Sequence, residues 1–171
     1  PDEVLQDPTW PRSGHTDRGR DGCRVPIPWS GDAPPYGFGP GPTTWLPQPA
    51  DWGPLTVAAE TGDPASLLNV YRRLIKVRHA SAALKTGDLK LLTPGDSTTP
   101  VLAFLRQAPK ERVLVVHNLS GGDVTAGPFA FPGKRLDPLF ALNGAAPKPA
   151  RGKNGWTVRL PAGQSGVWRV R

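Results

Sequence analysis

Methionine is absent from this 171-residue sequence, and cysteine occurs once, at Cys23. Because a translated chain starts with methionine, we expect a processed piece or a part of a longer polypeptide. A single cysteine excludes an intrachain disulfide framework and favours a reducing compartment, so we expect a cytoplasmic location. Signal peptides and apolar runs of membrane-spanning length are also missing, and we expect no membrane partner.

Metal, nucleotide and nucleic-acid motifs are missing as well. The histidines (His15, His79 and His117) lie far apart, without the spacing of metal ligands. No Gly-rich phosphate loop follows a strand pattern, so the sequence predicts neither a metal site nor a cofactor. The net charge of +7 comes from scattered basic residues without a basic tract or an aromatic RNA-binding motif, so we expect no nucleic-acid partner.

Proline and glycine are abundant where regular periodicity is lacking. Residues 1–62 hold 12 of the 22 prolines, nine of the 20 glycines and four of the six tryptophans. No window in this range keeps a helical or strand period. Long loops are usually functional when they are ordered. We predict that residues 1–62 form a long irregular loop, fixed by aromatic side chains, on a larger scaffold.

Helical spacing begins after this range. Asp63 suits an N-cap, Pro64 suits the first helical position, and apolar residues recur at helical spacing as far as Arg78. We predict a helix over residues 63–80 and a last turn that ends at Gly87, so that residues 63–86 are helical. The apolar stripe is interpreted as a packing face.

Residues 87–171 show short strand patterns separated by turn residues. Several short strands with turns between them predict an antiparallel β-sandwich in this range. The predicted strands are Asp88–Leu92, Val101–Arg106, Arg112–His117, Gly127–Phe131, Gly155–Leu160 and Gly166–Val170.

The most distinctive stretch is Gly19-Arg20-Asp21-Gly22-Cys23-Arg24-Val25-Pro26-Ile27-Pro28-Trp29. Arginine presents a planar fork of donors that can grip two oxygens at once, and here two arginines flank a carboxylate. Glycines and prolines favour a rigid irregular loop. Such a loop can hold a small polar ligand, although an Arg-Asp-x-x-Arg cluster taken alone is more often a structural ion-pair network.

Arg-Asp-Gly-Cys-Arg-Val-Pro-Ile-Pro-Trp resembles the segment Arg-Asp-x-x-Arg-(Thr/Val)-Pro-(Met/Leu/Ile)-(Gln/Pro)-Trp of bacterial α-glucosidases and oligo-1,6-glucosidases in the α-amylase superfamily. The segment from Asp63 to Arg78 is similar to the last barrel helix of these enzymes. The resemblance implies an α+β chain that is the terminal piece of a (β/α)8 barrel, with the long loop and the last helix, followed by an antiparallel β-sandwich.

The resemblance also implies roles for four residues. Arg20 is expected to hold hydroxyls of the terminal glucose of an oligosaccharide substrate at the −1 subsite. Arg24 is expected on the +1 side, with a structural role as an open alternative. Asp21 is expected to orient the arginines through hydrogen bonds, and Trp29 to support the site as part of the loop core.

The family's reaction is retaining hydrolysis of terminal α-linked glucose from maltose, isomaltose or short oligosaccharides. It needs two carboxyl groups about 5–5.5 Å apart. The family carries them on barrel strands that precede the segments found here, so the sequence predicts no catalytic residue and an inactive chain. Trehalose synthases and sucrose-converting enzymes of the superfamily leave the reaction type open. A stand-alone carbohydrate-binding or interaction β-sandwich is the alternative.

Overall fold

The computed structural model of the chain describes residues 1–94, 99–142 and 146–171. The chain divides into two compact units, Pro1–Asn69 and Val70–Arg171, and the division falls within a helix. None of the helices in the described ranges is long and apolar enough to span a bilayer.

The first unit is largely irregular, with short helical turns between extended segments. It contains 3-10 helices at Asp2–Val4, Asp21–Cys23 and Gly53–Leu55, and α-helices α1 (Thr9–Arg12) and α2 (Val57–Gly62). Helix α2 lies in the range predicted to be irregular. Its N-cap is Thr56, whose hydroxyl accepts a hydrogen bond from the Ala59 N–H at 3.2 Å.

Tyr36 is the aromatic side chain that fixes the first unit. Only 1% of its surface is exposed, and its hydroxyl donates to the Pro49 carbonyl at 3.0 Å. Its own carbonyl accepts hydrogen bonds from the backbone N–H groups of Trp29 (2.8 Å) and Ser30 (3.0 Å). The long loop is therefore ordered around a tyrosine, whereas Trp29 and Trp45 lie at the surface.

Helix α3 covers Leu67–His79, so the prediction of a start at Asp63 was wrong. The Asp63 carboxylate accepts from the Ala65 N–H at 2.8 Å, which forms a local turn instead of a helix cap. Ser66 takes the capping position, since its hydroxyl accepts from the Asn69 N–H at 3.2 Å.

A separate helix, α4 (Ala82–Thr86), follows α3. Ser81 caps α4, because its hydroxyl accepts from the Leu84 N–H at 3.1 Å. The predicted stop at Gly87 is confirmed. A Cβ at Gly87 would lie 2.6 Å from the carbonyl oxygens of Ala83 and Gln107, so glycine is required there for space.

Two antiparallel sheets form the rest of the second unit. One has the strand order β1-β2-β3-β8-β5 and the other β4-β7-β6. The strands are β1 (Asp88–Leu92), β2 (Val101–Ala108), β3 (Glu111–Asn118), β4 (Val124–Phe129), β5 (Leu136–Ala141), β6 (Ala150–Gly152), β7 (Gly155–Leu160) and β8 (Ser165–Val170).

A hydrophobic core fills the space between the sheets. It includes Leu114 and Trp168 of the larger sheet and Phe129 and Val158 of the smaller one, all nearly inaccessible. The opposite face of the larger sheet packs against Val70 of α3 and Ala83 of α4. The predicted α+β architecture, with helices followed by an antiparallel sandwich, is confirmed.

The strand predictions missed β5 and β6, shifted β4, and came within one or two residues of the bounds of β2, β3 and β8. Strand β5 was missed because Pro138 interrupts its pattern; it is an edge strand with an irregular register next to Pro138, where proline is tolerated. The strand predicted at Gly127–Phe131 lies at Val124–Phe129, and Gly127, with φ +113°, marks a break in its register. Strand β6 has three residues, too few to give a periodic signal.

Candidate functional site

The arginine loop, residues 19–29, begins with a 3-10 turn that sets the direction of its side chains. The Arg20 carbonyl accepts from the Cys23 N–H at 3.0 Å, and the Asp21 carbonyl accepts from the Arg24 N–H at 2.9 Å. The turn brings the Arg24 guanidinium to 3.7 Å from the Asp21 carboxylate. Glycine, aspartate and cysteine at these positions are all compatible with a tight turn.

Asp21 is the buried centre of the loop, with 3% of its surface exposed. Its Oδ2 accepts hydrogen bonds from the backbone N–H groups of Gln6 (2.5 Å) and Asp7 (2.8 Å). Its Oδ1 faces the Arg24 guanidinium at 3.7 Å, an ion pair without a hydrogen bond. Asp21 therefore joins residues 6–7 to the loop and pairs with one arginine, Arg24.

Asp7 is the site residue that the sequence reasoning did not single out. Its Oδ2 accepts from the Arg24 Nη1 at 2.9 Å and from the Arg20 backbone N–H at 3.0 Å, and its Oδ1 accepts from the Thr9 N–H at 2.9 Å. These hydrogen bonds, with the charge of Arg24, hold the pKa of the Asp7 carboxyl well below its usual range. Asp7 is thus an ionised anchor and a poor proton donor.

Gly19 allows Asp7 to approach the loop. Its φ is +65°, and a Cβ at this position would lie 2.5 Å from the Asp7 Cγ. A side chain here would therefore meet both backbone strain and a steric clash. The sequence Asp7-Pro8-Thr9 predicts a local turn. It does not predict the contacts of Asp7 with Arg20 and Arg24, which follow 13 and 17 positions later in the chain.

The two arginines differ in their surroundings. The Arg24 side chain is 39% exposed and is paired with both buried carboxylates. Arg20 is exposed, and its guanidinium has no hydrogen bond or ion pair with any residue in the described part of the chain. The fold fixes the Arg20 backbone through Asp7 and leaves the fork of donors available to a ligand.

Trp29 is not in the loop core, because 48% of its surface is exposed. The interpretation as a core side chain assumed that a tryptophan after two prolines would be buried; Tyr36 occupies that position instead. Trp29 contributes to the loop through its backbone, since its carbonyl accepts from the Ala58 N–H at 3.0 Å.

The two carboxylates of the site, Asp7 and Asp21, hold Arg24 in place and do not form an acid–base pair. Asp7 and Asp21 both face the Arg24 guanidinium, and the lowered pKa of the Asp7 carboxyl keeps Asp7 ionised. Among the described residues, no group of three or more His, Cys, Asp or Glu side chains could hold a metal ion. The arrangement can grip hydroxyl or anionic oxygens through Arg20.

Comparison with protein families matches both parts of the chain. A family model described as the catalytic domain of α-amylase matches residues 3–87, which include the arginine loop and helices α1 to α4. A model described as the C-terminal domain of the α-amylase SusG matches residues 101–127, which include β2 and β3.

Individual relatives are similar over most of this chain but are much longer. A probable α-glucosidase of Rhizobium meliloti is 39% identical over 80% of the chain, and a probable oligo-1,6-glucosidase 2 of Bacillus subtilis is 34% identical over 60%. The chain spans 23% and 18% of their lengths. The crystal structure of XgtA, an α-glucosyl transfer enzyme, matches 99% of the chain and 29% of its own length, with a TM-score of 0.77 and 31% identity.

Proposed function

The chain belongs to the α-amylase family, as part of an enzyme of its α-glucosidase group, and from this premise we propose that it supplies one wall of a glucose-binding pocket. In this proposal the catalytic carboxylates lie on a barrel segment outside the chain, and "complete enzyme" denotes the polypeptide that contains both. The reaction is retaining cleavage of terminal α-linked glucose from a short oligosaccharide.

The free guanidinium of Arg20 is the observation that carries the proposal. It is exposed, its backbone is fixed by the buried Asp7 carboxylate, and it lies within the segment whose sequence resembles the α-glucosidases. A forked donor suits two vicinal hydroxyls of a glucose ring, which is how Arg20 would define the −1 subsite. A charged group at the end of the pocket would restrict cleavage to chain ends.

In this proposal Arg24 takes the structural role rather than a contact on the +1 side. Its guanidinium donates a hydrogen bond to Asp7 at 2.9 Å and lies 3.7 Å from the Asp21 carboxylate, so two buried charges hold its orientation. In the proposal Arg24 keeps the loop rigid and Asp21 keeps the turn in place, while Arg20 contacts the substrate. Rigid placement lowers the entropic cost of orienting a sugar.

The pocket does not decide between hydrolysis and glucosyl transfer. The matched relatives include an α-glucosidase and a structure described as an α-glucosyl transfer enzyme. Both reactions start with the same covalent glucosyl intermediate and differ in whether water or a sugar attacks it. We propose hydrolysis, on the strength of the similarity to the probable α-glucosidase, which covers 80% of the chain at 39% identity.

Kinetics of Arg20→Ala in the complete enzyme test the proposal. We expect kcat/KM for maltose or isomaltose to fall at least about tenfold, a loss of about 1.4 kcal/mol or more in transition-state binding. Arg12→Ala, a change at another surface arginine of the first unit, is the control and should leave kcat/KM unchanged. The 171-residue chain alone should show no glucosidase activity. Wild-type kinetics in Arg20→Ala would contradict the proposal.

A further inference from the structure

A cleft of about 520 Å³ lies in the first unit beside the arginine loop. Its walls combine an aromatic surface with hydroxyl, amide and carboxylate groups; they include Glu3, Gln6, Thr43, Thr44, Trp45 and Gln48. Sugar rings are recognised by this combination, because they have apolar C–H faces and a polar rim of hydroxyls.

Trp45 presents the aromatic surface. Trp45 is 60% exposed, more than Trp29, the other exposed tryptophan of this unit. The next residue, Leu46, is only 2% exposed. The Thr44 hydroxyl donates to the Leu46 carbonyl at 2.5 Å, which fixes the backbone around the indole. The local fold thus holds a large flat apolar group in water, where it is unfavourable unless a ligand covers it.

Gln48 contributes a buried amide with unused hydrogen-bonding capacity. It is 6% exposed, and its Nε2 donates to the Pro26 carbonyl at 2.9 Å. Its Oε1 is buried and has no partner among the residues that the structure describes. A buried acceptor without a partner is unfavourable, so a ligand hydroxyl that reached it would bind favourably.

Two residues of the cleft walls are hydrogen-bonded to the arginine loop. Gln6 lines the cleft, and its backbone N–H donates to the Asp21 carboxylate at 2.5 Å. The Gln48 side chain donates a hydrogen bond to the carbonyl of Pro26, which lies two residues after Arg24 in the arginine loop. These two hydrogen bonds tie the cleft walls to the loop that carries Arg20.

We propose that the Trp45 cleft is a subsite for an α-linked glucooligosaccharide, and that it binds glucosyl units beyond the two that flank the cleaved bond. The inference rests on the proposed function, because it takes Arg20 as the contact of the terminal glucose. Trp45 packs on the face of a glucosyl ring, and Gln48 and Glu3 accept hydrogen bonds from its hydroxyls. The cleft carries a single carboxylate among its walls and suits a neutral ligand.

Chain-length dependence in the complete enzyme tests the subsite. The substrates are the disaccharide and the tetrasaccharide of whichever series, maltose or isomaltose, the enzyme cleaves. Trp45→Ala should lower kcat/KM for the tetrasaccharide at least about tenfold, mainly through KM, and change that for the disaccharide less than about twofold. Phe38→Ala removes another exposed aromatic side chain, outside the cleft walls. It should leave the ratio of kcat/KM for the tetrasaccharide to kcat/KM for the disaccharide unchanged.

Three results would overturn the inference. One is equal loss on both substrates, which would show that another segment of the longer polypeptide covers Trp45. Another is an unchanged ratio, and the third is an equal shift of the ratio in Phe38→Ala. If Trp45→Ala does not fold, Trp45→Leu keeps apolar bulk without the flat ring and should shift the ratio in the same direction. Any of these results, with Arg20→Ala still impaired, leaves the proposed function standing.

Discussion

At the scale of single residues, the buried carboxylates of Asp7 and Asp21 explain why two neighbouring arginines behave differently. Both carboxylates face Arg24, and the hydrogen bond from the Arg20 backbone to Asp7 fixes the start of the turn without engaging the Arg20 side chain. The Arg24 guanidinium therefore stabilises the loop, and the Arg20 guanidinium is exposed to solvent. The sequence Arg-Asp-x-x-Arg alone does not distinguish these roles.

Gly19 gives the first residue-scale prediction. Gly19→Ala places a Cβ 2.5 Å from the Asp7 Cγ at φ +65°, so we expect the free energy of unfolding to fall by about 1–3 kcal/mol. Gly22→Ala is the matched control, since a Cβ there has nothing within 4 Å, and it should be nearly neutral. Urea denaturation followed by tryptophan fluorescence measures both. Equal stability of the two variants would show that Asp7 does not pack on the loop as described.

The residues that sequence reasoning could identify were those inside the distinctive loop. Arg20, Asp21 and Arg24 were predicted as site residues because their types and spacing resemble a family segment, and the structure brings Asp21 and Arg24 together. Asp7 was missed because its role arises from contacts with residues 13 and 17 positions away, which no local pattern encodes. The burial of Trp29 was wrongly predicted because Tyr36, held at φ +48°, occupies the interior position.

At the scale of elements, helix α3 has two different apolar faces. Val70, Leu74 and Val77 pack with the larger sheet, while Tyr71 and Ile75 are 59% and 53% exposed. Tyr71 and Ile75 are four residues apart and so lie on one face. In the proposed complete enzyme this face packs against the barrel, which explains why the sequence pattern predicted a packing stripe that the chain itself leaves exposed.

Helix α4 is held to the larger sheet by Glu111 of β3. The Glu111 Oε2 accepts from the Ser81 hydroxyl (2.9 Å) and the Ala83 N–H (3.1 Å), and Oε1 pairs with Arg169 at 2.8 Å. Burial raises the pKa of the Glu111 carboxyl, but the hydrogen bonds from Ala83, Ser81 and Arg169 outweigh it and leave the pKa below its usual value. Ionised Glu111 therefore stabilises the folded state.

The sign of the pH dependence follows from this lowered pKa. A carboxyl whose pKa is lower in the folded state than in the unfolded state stabilises the fold fully at pH values above the unfolded-state pKa. This stabilisation is lost as the pH falls through the folded-state pKa. We expect Glu111→Gln to reduce the free energy of unfolding by about 1–3 kcal/mol at pH 7, and by less at pH 3. Urea unfolding at the two pH values measures the difference.

The control for Glu111 is an exposed ion pair of the same unit. Asp123 pairs with Arg159 at 3.3 Å, with side chains 55% and 77% exposed, and such pairs contribute little. Asp123→Asn should change the free energy of unfolding by less than about 1 kcal/mol at either pH. An equally large effect of both variants, or a larger loss for Glu111→Gln at pH 3 than at pH 7, would contradict the account of Glu111.

Helices and strands were predicted correctly where neighbouring residues alone determine their bounds. Strands β1 and β7 were predicted with their exact bounds, because turn residues flank short alternating or apolar runs. Strand β5 was missed because only its place at the sheet edge makes Pro138 acceptable. The start of α3 was misplaced because Asp63 and Ser66 are both good caps, and the hydrogen bond to Asn69 selects Ser66.

At the scale of the whole molecule, the chain combines the end of a catalytic domain with a β-sandwich. Residues 3–87 and 101–127 match models of these two parts, and the chain spans 23% of the length of the Rhizobium meliloti relative. Within the described residues the arginine loop holds Arg20, the proposed substrate contact, but no acid–base pair. The proposed activity therefore requires the chain and a barrel in one enzyme.

The most direct test of the central claim is a crystal structure of the complete enzyme with glucose bound in its pocket. We expect an Arg20 guanidinium nitrogen within hydrogen-bonding distance, about 2.7–3.2 Å, of a hydroxyl of the bound glucose. We also expect that the Arg24 guanidinium remains paired with Asp7. An Arg20 side chain turned away from the sugar, with no direct hydrogen bond to it, would contradict the account.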